Sequence, residues 1–371
     1  MKLKKINLII FHPYSMIGGA DKSLSRLINN LDHEKYEITF LTLSKPLIKK
    51  YLEKKINIIV LNKKKTIYTI FKIRKILKGF NKRSNKIIFL SNQNFANILS
   101  FAIKYKLKNI KHIIIERNHI DELKYYNGIK DYFKKKIIKL LIKFLYNKSD
   151  FVIGNCKRLS DDLAKFSGAK VKTIYNPAFD NEIYKLSKKK PFFKKNKIKN
   201  IINVGRLELQ KDHFTLIKAV ENIDNVTLTI IGYGSKYNLI SKYIVKNNLS
   251  KKIKILKNIT NPYPYIKNAD LFVLSSLYEG FPNVLAEAIM LKIPIISSNC
   301  NSGPAEILLQ KRGPQIFKKG NHVELKNKID NFLFNPKPIL SNRRFLFNNL
   351  KKFNKKKIVK EYDDLFTGLF I

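Results

Sequence analysis

The chain has 371 residues, 44% of them hydrophobic and 12% aromatic, with only 14 glycines and 12 prolines; this is a packed globular composition long enough for two domains, and it excludes a disordered or fibrous chain. Its 74 Lys+Arg against 27 Asp+Glu give a formal charge of +47, which attracts polyanions of every kind (nucleic acid, anionic lipid, phosphorylated substrates) without choosing among them. The two cysteines, Cys156 and Cys300, are too few and too far apart for a disulfide framework or a structural zinc site. No apolar run reaches the roughly 18 residues of a membrane span. The opening MKLKKINLIIFHPY reads as a first strand rather than a signal peptide, so a cytoplasmic protein is expected. The excess cations are mostly lysine in a chain also rich in Ile and Asn. Codon composition accounts for such a bias as readily as function does.

In chain order, short runs rich in Ile, Val and Phe predict strands at INLIIF, YEITFLTL, INIIVL, KIIFLS and HIIIE, with amphipathic segments between them. Apolar strands alternating with helices predict a parallel sheet covered on both faces. The pattern restarts at NIINVG and continues through VTLTIIG, KIKIL, ADLFVLSS and IPIISS, predicting a second doubly wound sheet. The expected division is residues 1–185, a lysine-rich linker 186–199 broken by Pro191, a second domain 200–355, and a terminal helix 356–371 whose Ile358, Tyr362, Leu365 and Phe366 share one face. That helix is expected to pack back on the first domain.

The segment LSSLYEGFPNVLAEAIM reads as a buried strand, a turn carrying Glu279 and Gly280, and a helix beginning near Pro282. Backbone N–H groups of Phe281, Asn283 and Val284 at that helix start suit an anionic or hydroxyl-rich ligand. Glu279 and Glu287 are natural acceptors for paired sugar hydroxyls. The same spacing is equally that of an ordinary strand, turn and helix. In NVGRLELQKDHF a strand ends at Gly205, and Arg206 and Lys211 follow near the carboxyl edge of the sheet, where α/β folds bind ligands; arginine grips a diphosphate bidentately and lysine serves as a point charge. Gly232 and Gly234 end the next strand. In HPYSMIGGADKSL, Gly18 and Gly19 lie between the first strand and its helix, either as a phosphate-approaching loop or as a plain turn.

Together, GRL with its following lysine, IIGYG and the two glutamates of EGFPNVLAE resemble retaining glycosyltransferases of family 4. ERN at 116–118 and IYNP at 174–177 match the same family's N-terminal half. The resemblance implies the GT-B fold, two facing Rossmann-like domains with a C-terminal helix, the first binding acceptor and the second a nucleotide-sugar donor. It implies that Arg206 and Lys211 hold the donor diphosphate, that Glu287 holds the ribose, and that Glu279 with the amides of Phe281 and Asn283 reads the transferred sugar. Glu116, Arg117, Asn118 and His119 become candidates in the first domain, His119 for a direct catalytic role. The run SSNCNSGPAEIL is similar to family members that use UDP-linked hexoses or N-acetylhexosamines for bacterial surface polysaccharide, with Asn301 and Ala305 standing where Pro and Arg are expected. The implied reaction transfers sugar to a glycan or lipid-linked acceptor by front-face attack. The sequence has no Asp-x-Asp triplet for a divalent cation, so no metal and no cofactor are expected, and the cations do that work.

The alternative reading, a basic nucleic-acid-binding protein, draws on the charge and on 25 Phe and 18 Tyr as stacking surfaces for bases. Most of these aromatics fall within strand and helix periodicities, so no nucleic-acid partner is expected. Residues 123–148 place Ile129, Phe133, Ile137, Leu141 and Phe144 on one helical face, edged by Lys130, Lys134, Lys135, Lys139 and Lys143. That arrangement suits a helix lying on an anionic membrane, or one packed on the first sheet with its lysines in water.

Overall fold

Two all-parallel sheets absorb the apolar runs, and a computed structural model describes them over residues 5–14, 18–178, 180–188, 198–309 and 313–371. The chain divides into two units, Met1–Pro177 with Lys355–Ile371, and Ala178–Asn354. Most of the expected linker, including Pro191, lies outside the described residues.

The first unit contains β1 (Ile6–Phe11), β2 (Tyr36–Thr42), β3 (Asn57–Val60), β4 (Ile87–Asn92), β5 (Ile110–Glu116), β6 (Phe151–Gly154) and β7 (Val171–Thr173), in the order β3-β2-β1-β4-β5-β6-β7. Its helices are α1 (Gly19–Ile28), α2 (Ile70–Arg83), α3 (Asn94–Lys104), α4 (Gly128–Leu145) and α5 (Lys157–Ser167). Every residue of β1 is buried, because alternate side chains feed different cores. Leu8 and Ile10 join one cluster with Leu24, Leu27 and Ile28 of α1, while Ile9 and Phe11 join another with Ile73 and Leu77 of α2. A strand with apolar contacts on both faces has no reason to alternate in sequence.

The helix Lys355–Gly368 completes this unit. Its Ile358, Tyr362, Leu365 and Phe366 enter the α1 cluster. Asp363 fastens its rim, accepting from the Tyr36 hydroxyl at 2.6 Å and from Lys35 Nζ at 3.1 Å. The Tyr36 and Phe366 rings meet edge to face, 6.1 Å apart.

The second unit contains β8 (Lys199–Val204), β9 (Val226–Ile231), β10 (Ile253–Leu256), β11 (Leu271–Leu274), β12 (Ile295–Ser298) and β13 (Ile316–Phe317), in the order β10-β9-β8-β11-β12-β13. Its helices are α6 (Asn181–Leu186), α7 (His213–Glu221), α8 (Tyr237–Lys246), α9 (Tyr263–Lys267), α10 (Asn283–Met290), α11 (Gly303–Leu308), α12 (His322–Phe334), α13 (Lys337–Ser341) and α14 (Arg343–Asn349). In both sheets the strand order reverses beside the first strand, between β1 and β4 and between β8 and β11. Helices leave in opposite directions at such a point, and the crevice they open at the carboxyl ends of the strands is where doubly wound sheets bind ligands.

Strands β6, β7 and β13 go beyond the predicted set. At three and two residues, β7 and β13 are too short to carry a readable period.

Candidate functional site

In the second unit, the reversal point brings together the loops after β8 and β11. The β8 loop is bound to the β9 loop along its backbone: Gly205 N donates to Ile231 O at 3.0 Å, Leu207 N to Tyr233 O at 3.1 Å, and Lys236 N to Leu207 O at 2.8 Å. This approach is close enough that a Cβ on Gly232 would lie 1.9 Å from Gly205 O, and one on Gly234 would lie 2.5 Å from Leu207 O. The glycines of IIGYG are therefore required by the close packing of these two backbones. Gly205 packs against the aliphatic stem of Lys211. Arg206 is exposed.

Lys211 ends a short turn, Leu209–Lys211, and its ammonium donates to Glu279 Oε1. Ser276 Oγ donates to the same oxygen at 2.6 Å, and Gln210 Nε2 to Oε2 at 3.3 Å. Both partners are nearly out of solvent, with side chains 15% and 6% exposed. The sequence expectation gave these two residues to different parts of a ligand, diphosphate and sugar. The structure couples them directly, as two charges drawn from water at one sheet edge require.

The turn that carries Glu279 is braced from the next loop. Ser302 Oγ donates to Glu279 O, and Gly303 N donates to Gly280 O at 2.8 Å. A Cβ on Gly303 would come within 2.1 Å of Gly280 O. The helix behind the turn begins at Asn283, with Pro282 at its N-cap rather than in its first turn. Phe281 and Asn283 are buried and Val284 half-buried, and the Phe281 ring meets Phe353 edge to face at 4.9 Å. Glu287 is buried and accepts from the Tyr263 hydroxyl at 3.2 Å. Cys300 donates to Ser276 O at 2.9 Å, and burial, with the Glu279 charge second, pushes its thiol up to about 12. It is an inert packing residue.

In the first unit the reversal point holds a polar chain that sequence reasoning missed. His12, at the end of β1, meets Asp21 through Nε2 at 3.0 Å and Asn92, at the end of β4, through Nδ1 at 2.9 Å. Asp21 also accepts from Gly18 N at 2.9 Å, so Gly18 is anchored while Gly19 opens α1. Asn92 accepts from Arg117 Nε at 2.7 Å, and Arg117 reaches Ser23 and Asn176 in turn. The available signals were His12, directly after the apolar run INLIIF, and Asp21, an acid in the first turn of the helix that follows.

Of the four neighbours in ERNH, only Arg117 joins this chain. Glu116 points inward, accepting from the Tyr146 hydroxyl at 2.9 Å, and burial pushes its carboxyl up to about 7. Asn118 donates to Glu122 at 2.9 Å. His119 is expected to act directly in chemistry, but both its ring nitrogens are engaged: Nδ1 accepts from Asp121 N at 3.1 Å and Nε2 meets Asp162 at 2.9 Å. It caps the turn Ile120–Lys124, so its buried imidazole holds this turn against Asp162 on α5. Among the described residues no group of three or more His, Cys, Asp or Glu could hold a metal ion.

A family model described as Glycosyl transferases group 1 matches residues 185–352, and one described as Glycosyltransferase Family 4 matches residues 17–178. The chain belongs to glycosyltransferase family 4. Over 355 residues it is 28% identical to an uncharacterized glycosyltransferase of Methanocaldococcus jannaschii, covering 88% of this chain and 82% of that one. Over 318 residues it is 25% identical to the N-acetylgalactosamine-N,N'-diacetylbacillosaminyl-diphospho-undecaprenol 4-alpha-N-acetylgalactosaminyltransferase of Campylobacter jejuni, covering 82% of this chain and 83% of that one. The crystal structure of Anabaena HepE in complex with UDP and glucose superposes with a TM-score of 0.80 at 15% identity, covering 98% of this chain and 100% of that one. The fold of this family-4 glycosyltransferase is GT-B.

Two expectations follow from the site. Lys211→Met and Glu279→Gln are each expected to cost about 3–5 kcal/mol of stability, because each leaves a buried partner uncompensated. The double variant is expected to lose less than the sum of the two, and urea melts of all four proteins close that cycle. Equal and additive losses would show that the two groups are not coupled.

The second concerns acid. His213 follows Lys211, is buried without a partner for either ring nitrogen, and is pushed down to about 3 by burial and then by the Lys211 charge. The unfolded chain takes up that proton below about 6.5 and the folded chain refuses it, so stability present above 6.5 is lost as pH falls toward 3. His213→Leu is expected to spare about 2 kcal/mol of the loss between pH 6.5 and 5, at roughly 1.4 kcal/mol per pH unit. The comparison isolates the histidine from Glu116 and Asp212, whose upward shifts act in the opposite sense. Parallel stability profiles for variant and parent would refute it.

Proposed function

We propose that this glycosyltransferase moves a hexose or N-acetylhexosamine from a UDP-sugar to a glycan carried on a lipid diphosphate, as a step in building a cell-surface polysaccharide. The observation that carries the reading is the assembly at the β8–β11 reversal point of exposed Arg206, the Lys211–Glu279 pair and buried Glu287. Arg206 and Lys211 offer cations to a diphosphate, and beside them Glu279 and Glu287 offer carboxylates to sugar hydroxyls. The bound UDP and glucose of HepE support the donor class. The diphospho-undecaprenol acceptor in the Campylobacter enzyme's name supports a lipid-linked acceptor. In this reading the second unit binds donor and the first binds acceptor.

The proposed chemistry retains the anomeric configuration, as the family does. The acceptor oxygen bonds to the anomeric carbon on the face the diphosphate leaves, the carbon–oxygen bond to the diphosphate breaks, and the acceptor proton passes to the departing phosphate oxygen. Arg206 and Lys211 stabilise the charge that grows there. Glu279 then has two duties, holding Lys211 at the right place and accepting a sugar hydroxyl.

The alternative of a nucleic-acid binder is the weaker reading, because exposed lysines are spread over helices of both units, from Lys72, Lys75 and Lys78 on α2 to Lys218 on α7 and Lys356 on the last helix. A groove that tracks a backbone concentrates them.

Arg206→Ala is expected to leave the fold intact, the side chain being exposed, and to lower kcat/KM by about 10²–10³, measured as UDP release across a panel of UDP-sugars with lipid diphosphate acceptors. Turnover at the parent rate would remove Arg206 from the site. Chelation with EDTA is expected to leave the rate unchanged, since cationic side chains are assigned the diphosphate. Complete loss restored by Mn²⁺ or Mg²⁺ would reverse that assignment.

A further inference from the structure

Helix α4 sends its two faces to opposite environments. The inward face carries buried Ile142 and half-buried Ile138, Leu141 and Leu145, packed toward α3 and α5. Lys135 belongs to this side too, donating to the carbonyls of Tyr125 and Glu122 and pairing with Asp131 at 3.6 Å. Sequence periodicity groups Leu141 with Ile129, Phe133, Ile137 and Phe144 and sets Lys135 at the edge of that face, whichever way the face turns. The structure replaces Leu141 with Leu140 and removes Lys135.

The outer face is a continuous apolar stripe that none of the described residues of the first unit covers. Ile129 is 76% exposed, Phe133 58%, Ile137 58%, Leu140 56% and Phe144 57%. These positions recur every three or four residues, so they line one side of the helix along almost its whole length. Exposed Lys130 and Lys134 edge the stripe on one side, and exposed Lys136, Lys139 and Lys143 on the other. The helix has a single acid, Asp131, and it is held inward by Lys135.

Five large apolar side chains left in water are a standing cost that ordinary monomeric surfaces avoid. Three kinds of occupant deserve comparison. A second copy of the chain would set these lysines against their own equivalents. Nucleic acid offers phosphates for the lysines and nothing to cover the phenylalanines and isoleucines. A leaflet of anionic lipid supplies both, acyl chains for the stripe and phosphate headgroups at the level of the flanking ammonium groups.

We propose that α4 is the membrane-docking element of this protein, lying in the plane of an anionic bilayer with Ile129, Phe133, Ile137, Leu140 and Phe144 inserted below the headgroups. The helix is too lysine-rich to cross a bilayer, and none of the described helices is long and apolar enough to do so. The attachment is therefore peripheral, and salt weakens its ionic part but not its apolar part. The inference needs only this surface and holds whatever sugar the enzyme uses.

The chain contains no tryptophan, so one introduced indole reports a single position. In the full-length Phe133→Trp variant, emission is expected to shift to the blue on adding phosphatidylglycerol vesicles and to be quenched by brominated acyl chains. Phe334→Trp, at a position 93% exposed in the second unit, is expected to do neither. The variant F133S/I137S/F144S leaves net charge unchanged and, with folding checked by circular dichroism, is expected to lose about tenfold or more in vesicle affinity by sedimentation. Failure of the parent protein to sediment with these vesicles at low salt would overturn the proposal. So would undiminished binding by the triple variant, which would leave attachment to charge alone. A blue shift of Phe133→Trp that follows protein concentration or added RNA, without lipid, would likewise overturn it in favour of a second copy or a nucleic acid. None of these readouts depends on sugar transfer, so they stand or fall separately from the proposed reaction.

Discussion

The ion pair between Lys211 and Glu279 is the constraint around which the second unit's site is arranged. Two nearly buried charges at a sheet edge are tolerable only if each compensates the other and the remaining lone pairs find donors. Gln210 and Ser276 supply those donors, and Ser275, donating to Lys211 O at 2.8 Å, fixes the backbone from which the lysine reaches. The loops after β8 and β11 are thereby tied into one body. A ligand that takes a hydrogen bond from Lys211 meets an ammonium already oriented by its carboxylate, so little freedom is lost on binding.

That pairing is possible only because the backbones approach closely. Gly232 lies where any side chain would strike Gly205 O, and Gly303 where one would strike Gly280 O. Each glycine lets one loop rest on the next, so the carboxyl edge of the sheet is a stack of touching backbones rather than a row of independent loops. Glycines in such places act indirectly, by setting the positions of the side chains on the loops they bring together.

Much of this was legible in the sequence, and the divisions fall along physical lines. The long strands β1, β2, β4, β5 and β9 were readable because apolar runs buried on both faces leave an unbroken signature, and the placement of Arg206, Lys211, Glu279 and Glu287 after β8 and β11 was readable because they follow such runs in a specific order. What escaped depends on contacts between distant segments. That His12 joins Asn92, or that Lys211 meets Glu279 rather than standing apart from it, cannot be deduced from spacing along one segment. Helix phase was also out of reach at single-residue precision. Leu140 and Leu141 are equally apolar, and only the packing of α4 decides which of them faces out.

The helix Lys355–Gly368 has a consequence for the order in which the molecule is made. It belongs to the first unit, yet it is synthesised after every residue of the second. While the ribosome adds the second unit, the apolar groove between β2 and α1 that will receive Tyr362, Leu365 and Phe366 stays uncovered. The second unit is contiguous in sequence and has its own core, so it has all it needs to fold before the first can finish, against the usual rule that the earlier domain is completed first. The nascent first unit must therefore remain soluble with part of its core exposed for as long as some 180 residues take to emerge. Its high positive charge is well suited to keeping unfinished chains apart.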